Sequence, residues 1–162
     1  MTAQETEQLF TELVTQNQQI IYKVCYFYTS DDYTLDELQQ ETIINLWRAF
    51  PKFRGDSKIT TWIYRIAMNT CISYMRKSPK INTIPISNHI AENTPNYGTN
   101  NKYLQELYKL INQLGKLERA LILLYLEDKR HHEISEILGI SKNNVAVKLN
   151  RIKDKLKRMS NQ

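Results

Sequence analysis

Glu133-Ile134-Ser135-Glu136-Ile137-Leu138-Gly139-Ile140-Ser141-Lys142-Asn143-Asn144-Val145 is the stretch on which the fold turns. A short helix over 130–138 ends at Leu138. Gly139 stands just past that end, where a left-handed backbone is needed and glycine costs least. Ile140 points inward from the turn, and Ser141 caps a second helix predicted over 141–158. Val145, Leu149 and Ile152 continue the apolar stripe along that helix. Helix, three-residue turn with glycine, and capped second helix have the spacing of a helix-turn-helix. The positions turned away from the core are Lys142, Asn143, Asn144, Ala146, Val147, Lys148 and Arg151, and Lys153, Lys155, Lys157 and Arg158 extend a basic surface. The polar groups among them can reach base edges and phosphates. The same pattern also fits a plain helical hairpin with a solvated face; glycine, serine and a basic second helix together favour DNA.

Upstream of this stretch, Leu104, Leu107, Leu110, Ile111 and Leu114 form one helical run closed by Gly115, and Leu117, Ala120, Leu121, Leu124 and Tyr125 form another. Residues 79–101 differ in character. They hold Pro79, Pro85 and Pro95 of the four prolines, six asparagines, three threonines and Gly98, and they lose aliphatic periodicity. Such a segment reads as a flexible linker containing the domain boundary.

The N-terminal part is helical as well. Leu9, Phe10, Leu13, Val14, Ile20, Ile21, Val24, Cys25 and Phe27 predict a helix over 5–28, relaxed around Gln16 to Gln19. Thr34 starts the next helix with a capping box to Glu37, and Pro51 ends it. Leu38, Ile43, Leu46, Trp47 and Phe50 make its apolar side. A basic loop, 52–58, holds Gly55. A further helix follows from about Thr60 to Lys77, with Trp62, Ile63, Ile66, Ala67, Thr70 and Met75 available to a core. Arg65, Asn69, Ser73 and Arg76 recur along one polar face. Gly and Pro number four each in 162 residues, which argues against a turn-rich β protein. The reading is all-α: two small helical domains, 1–78 and 102–162, joined by the linker 79–101.

Net charge is +5, distributed unevenly: residues 1–50 carry −6, residues 51–80 carry +6 and residues 116–162 carry +5. Two separate nucleic-acid contacts after an acidic start would give that pattern, and so would fluctuation among solvated faces. Cys25 and Cys71 lie among apolar residues, belong to no C-x-x-C pair, and read as buried thiols in a reducing cytoplasm. No metal-ligand pattern, phosphate loop or nucleophile–base pair is present in the sequence, so no cofactor, metal or catalytic residue is expected. Polar Thr2 to Gln8 is no signal peptide, and no apolar run reaches membrane length, so no membrane insertion is expected. Neighbouring His131 and His132 point about 100° apart on a helix and do not easily share a site; they read as surface or DNA-backbone histidines.

Taken together, residues 34–77 and 102–158 resemble the small extracytoplasmic-function sigma factors of the sigma-70 family, which keep a sigma-2 and a sigma-4 domain joined by a linker. Asp36-Glu37-Leu38-Gln39-Gln40-Glu41-Thr42 with Leu46-Trp47-Arg48 looks like that family's helix for the clamp helices of the polymerase β′ subunit. The resemblance makes Asp36, Glu37, Leu38, Gln40, Glu41, Leu46 and Trp47 candidate polymerase-binding residues, with the β flap as a second polymerase contact. Phe53-Arg54-Gly55-Asp56-Ser57 and Thr61-Trp62-Ile63-Tyr64-Arg65-Ile66-Ala67 with Asn69 match the family's loop and helix that capture a flipped base of the minus-ten element. Candidates there are Arg54, Gly55, Asp56, Ser57, Lys58, Trp62, Arg65, Asn69 and Arg76. Their types suit melted DNA: cations for phosphates, an amide for base edges, a compact loop for an unstacked base. Trp62 reads as core packing, with promoter melting as the alternative, and Tyr64 fits either. Residues 117–158 look like region 4, which makes Ser141, Lys142, Asn143, Asn144, Lys148 and Arg151 candidates for the minus-thirty-five element. Where the group shows Thr-Val and then a Ser-Arg-like pair, this chain has Asn144-Val145 and Val147-Lys148, which puts base preference in question.

The implied function is promoter-specific initiation with core RNA polymerase in the bacterial cytoplasm, without chemistry of its own. The resemblance also implies an anti-sigma factor as partner. A polymerase-independent helix-turn-helix regulator that dimerises through its N-terminal part is the alternative, and it would bind a palindromic duplex tightly by itself.

Overall fold

The structure is a computed structural model that describes residues 2–77 and 102–161. The proposed linker 79–101 therefore lies outside the described residues. Every regular element among the described residues is helical: α1 Ala3–Gln16, α2 Gln18–Tyr28, α3 Leu35–Ala49, a 3-10 turn Phe50–Lys52, α4 Ile59–Lys77, α5 Lys102–Asn112, α6 Lys116–Leu126, α7 His131–Leu138 and α8 Lys142–Ser160. They form two compact units, α1–α4 and α5–α8.

The helix expected over 5–28 is two helices. Thr2 caps α1 with a full capping box: its hydroxyl accepts from Glu5 N–H at 3.1 Å while the Glu5 carboxylate accepts from Thr2 N–H at 2.9 Å. The ladder breaks at Asn17, whose side-chain amide bonds Leu13 O at 2.8 Å. Asparagine competes with the helix for its own backbone bonds, so the relaxation expected around Gln16 to Gln19 becomes a break. Phe10 of α1 then packs edge-on against Trp47, with ring centroids 5.0 Å apart, and against Phe50 at 5.5 Å.

In the first unit α2, α3 and α4 pack on one another. Val24, Cys25, Tyr28, Leu38, Leu46, Ile63, Ala67 and Cys71 are fully buried between them. Each large aliphatic side chain removed from water in this way contributes about 1.5–3 kcal/mol. Thr42 and Thr70, two polar side chains drawn into the core, are paired. The Thr42 hydroxyl donates to Leu38 O at 2.7 Å and lies 3.5 Å from Cys25 Sγ. Asn45 of α3 donates to Thr70 of α4 at 3.0 Å, and Thr70 donates to Ile66 O. Both cysteines are buried and free, as their surroundings predict. The adjoining Cys25 thiol, together with burial, pushes the Cys71 thiol well above its ordinary range, so Cys71 stays protonated.

In the second unit α8 is the common support, packing on α5, α6 and α7. Val145, Leu149 and Ile152 are its buried stripe, and Ile134 and Ile137 meet it from α7. One charged residue joins this core against expectation. Arg119, on the buried side of α6 and 9% exposed, donates from Nε to Leu114 O at 3.2 Å and from Nη2 to Asn112 O at 2.6 Å. It thereby satisfies carbonyls at the end of α5 and in the α5–α6 turn, which no later helical N–H reaches.

Two outcomes follow. Gly139 has φ +71°, where a Cβ is strained even though the space beside it is open, so Gly139→Ala should cost about 1–2 kcal/mol, read as a lower denaturant midpoint of the full chain. Arg119→Leu should cost about 2–3 kcal/mol because it strands two carbonyls, and Arg119→Lys should recover little of it, since one ammonium does not reproduce the guanidinium fork.

Candidate nucleic-acid and partner interfaces

The first candidate surface lies on α3. Thr34 caps the helix by accepting from Glu37 N–H at 3.2 Å, and its hydroxyl donates to Glu37 Oε1 at the same distance. Tyr74 of α4 donates to Glu37 Oε2 at 2.9 Å, and that bond raises the Tyr74 phenol above its ordinary value. The Tyr33 ring packs against Tyr74 at 5.9 Å, and Tyr33 donates to Met75 O at 3.1 Å. Glu37 is thus half-buried and fixed in direction by α4, whereas Asp36 and Gln40 are exposed and Glu41 is half-buried.

Leu38 and Leu46 require a correction. Both are fully buried, so they hold α3 on its own core and present no side chain to a partner. Trp47 is 43% exposed despite its contact with Phe10. Ile43, expected on the core side, is exposed, and so is Ile44. The outward strip of α3 therefore begins with acids and amides and continues as an apolar patch, with Leu9 of α1 also exposed on this unit. Contiguous exposed apolar surface rimmed by polar groups marks interaction sites. The sequence reading missed Ile44 and misplaced Ile43: only the side of α3 taken by α2 and α4 decides which aliphatic side chains stay outside.

The second surface is the loop leading into α4 and the outer face of that helix. Gly55 adopts φ +77°, which only glycine takes freely. Phe53 packs against Trp62, ring centroids 4.9 Å apart, and so ties the loop to the first turns of α4. Ser57 donates to Lys58 O at 3.3 Å. Arg54, Gly55, Asp56 and Lys58 are exposed in the loop, and Arg65, Asn69 and Arg76 are exposed along α4. The polar stripe predicted from spacing is thus an outward face. Of the two readings of Trp62, its position favours packing: it is 9% exposed and its ring lies tilted against Phe53 within this unit. Tyr64 is likewise buried.

The third surface is α8. Gly139 N–H bonds Ser135 O at 2.9 Å, Ser135 donates to Ile140 O, and Ser141 caps α8 by accepting from Asn144 N–H at 3.1 Å. These bonds fix the turn, and α7 and α8 pack together beyond it. Ser141, Lys142, Asn143, Asn144 and Arg151 are exposed, and Lys148 is half-buried. The basic extension narrows relative to expectation. Lys153 sits over the Tyr125 ring, 4.1 Å from its centroid, and Lys155 pairs with Glu118 at 3.1 Å. Glu118 also accepts from Gly115 N–H, and that bond, more than Lys155, holds its carboxyl below the ordinary range. His131 and His132 are exposed. Beside α8 runs an apolar groove of about 740 Å³, lined by Leu107, Leu110, Ile122, Tyr125 and Leu126.

Among the described residues no group of three His, Cys, Asp or Glu side chains could hold a metal ion, and no helix is long and apolar enough to cross a membrane.

Two family models match the chain: Sigma-70 region 2 over residues 13–80 and Sigma-70, region 4 over residues 104–156. The RNA polymerase sigma factor YlaC of Bacillus subtilis is 33% identical over 135 residues, covering 77% of this chain and 76% of that protein. Sigma factor SigV of the same organism is 26% identical over 153 residues, covering 91% and 89%. The ECF sigma factor SigM of that organism is 26% identical over 148 residues. In fold, the chain is similar to the sigma factor RpoE solved with the anti-sigma factor NepR from Bartonella quintana, with a TM-score of 0.73, 19% identity, and coverage of 94% of this chain and 96% of that one. It is also similar to CnrH solved with the cytosolic domain of CnrY, with a TM-score of 0.69, 17% identity, and coverage of 96% and 89%. With both regions present in order and a relative matched over three quarters of its length, the chain belongs to the sigma-70 family of RNA polymerase sigma factors, in its extracytoplasmic-function group.

Proposed function

We propose that this sigma factor distributes its work over the three surfaces described above, each built on the outward side of a helix whose inward side is core. The observation that carries this reading is the separation of chemistries: acids, amides and exposed apolar side chains on α3, and cations with asparagines on α4 and α8. Asp36, Glu37, Gln40, Glu41 and Trp47, joined by Ile43 and Ile44, dock on the β′ clamp helices. Exposed acids meet a basic partner, and the tryptophan supplies the apolar anchor that dominates such interfaces. Leu38 and Leu46 support that surface from beneath. Arg54, Lys58, Arg65 and Arg76 neutralise phosphates of the melted minus-ten strand, Asn69 bonds a base edge, and the Gly55 loop with Asp56 and Ser57 borders the pocket for a flipped base. Trp62 positions that loop through Phe53.

The α7–α8 pair binds the minus-thirty-five duplex, with Ser141, Lys142, Asn143, Asn144, Lys148 and Arg151 toward the DNA. The apolar groove along α5, α6 and α8 receives the β flap. The domains run over 1–78 and 102–162, and the segment 79–101 sets their reach and hence promoter spacing. An anti-sigma factor covers these surfaces in the cytoplasm when the factor is held inactive. The protein performs no catalysis; the polymerase does. Free in solution it binds promoter DNA weakly, since two small tethered modules lose ordering entropy that the polymerase would otherwise offset.

In vitro transcription with core polymerase across a promoter library tests this directly. Start sites that depend on the protein, sharing two upstream elements, are expected. No new starts together with no core binding by gel filtration would overturn it, and tight binding to a palindromic duplex without polymerase would put the regulator in its place. A second outcome separates the surfaces. Trp47→Ala and Gln40→Lys should each weaken core binding, Trp47→Ala by an order of magnitude or more, on the order of 2 kcal/mol. Arg65→Ala and Asn69→Ala should leave core binding intact and reduce permanganate-detected melting at the minus-ten element.

A further inference from the structure

The outward strip of α8 holds one residue that charge and hydrogen bonding do not explain. Val147 is 40% exposed, amid exposed Asn143, Asn144 and Arg151. It is the one exposed large hydrophobic residue described on α8; Tyr103, Leu117, Tyr125 and Leu126, the others described in this unit, stand on α5 and α6. At about 100° per residue, Val147 follows Asn143 by one turn, precedes Arg151 by one turn, and faces away from the buried Val145, Leu149 and Ile152. The core does not use it, and a β-branched side chain on a solvated helix face is not favoured by helix propensity. It also lies in the second turn of the helix, within the N-terminal part that meets base edges when a helix-turn-helix docks.

In the major groove thymine alone presents a methyl group, and an apolar side chain is its complement. We propose that Val147 is a specificity-determining residue that reads a thymine 5-methyl group in the minus-thirty-five element, with Asn143, Asn144 and Arg151 bonding the edges and phosphates around it. The inference rests on α8 being the duplex-binding helix of this sigma factor. The apolar contact excludes water from one methyl group and two γ carbons, and it rejects cytosine and purines at that step because none offers a methyl there.

The test uses core polymerase with the full chain on its strongest mapped promoter. Each thymine of the minus-thirty-five element is replaced in turn by deoxyuridine, which keeps every hydrogen-bonding group and removes only the methyl. At one position the substitution should lower promoter occupancy about fourfold, the loss expected for one desolvated methyl group. Val147→Ser should lower occupancy on the thymine template by a similar factor and be indifferent to deoxyuridine at that position alone; Val147→Ile should keep the preference. Equal occupancy with thymine and deoxyuridine at every position, or an unchanged thymine preference in Val147→Ser, overturns the inference. Absence of protein-dependent initiation on the unmodified promoter is a separate result, and it overturns the sigma reading beneath it. Because Val147 is outside the core, all variants should melt with the parent protein, which circular dichroism checks.

Discussion

Ile63, Ala67 and Cys71 recur every fourth residue along α4, and all are completely buried against α2 and α3. A straight helix can turn only one such stripe inward. Fixing it fixes everything else on the helix: Arg65, Asn69 and Arg76 fall on its exposed side. The same packing holds α3 by Leu38, Thr42 and Leu46, which leaves Asp36, Gln40 and Trp47 exposed on that helix. The three-helix core therefore carries exposed acids and apolar side chains on α3 and exposed cations on α4 within fewer than eighty residues.

Polar contacts refine this arrangement. Glu37 is caught between the Thr34 hydroxyl at the start of α3 and the Tyr74 phenol on α4, so the first turn of α3 is aligned by α4. Asn45 and Thr70 make a second tie between the same two helices. Such bonds contribute about 1 kcal/mol each, less than the buried aliphatic side chains, yet they are directional where the apolar contacts are not. In the second unit Arg119 does the corresponding work, joining α6 to the end of α5, while the Gly139 and Ser141 bonds set the angle at which α8 leaves α7.

The helical class, the two-part organisation around a proline- and asparagine-rich middle, and the helix-turn-helix were all legible in the chain before folding. Each of these is written in local chemistry: spacing of apolar residues, a glycine that can take positive φ, a serine that can cap. The sequence also marked the faces of α4 and α8, because a polar stripe on a helix that buries its other side needs only helical periodicity to be found. Tertiary structure alone decided which aliphatic residues of α3 stay outside, that Trp62 closes on Phe53, that Arg119 enters a core, and that Lys153 and Lys155 turn to Tyr125 and Glu118 instead of extending the basic surface. Periodicity assigns a residue to a stripe; whether the stripe is covered depends on a second helix distant in the chain, and that pairing is a property of the packed molecule.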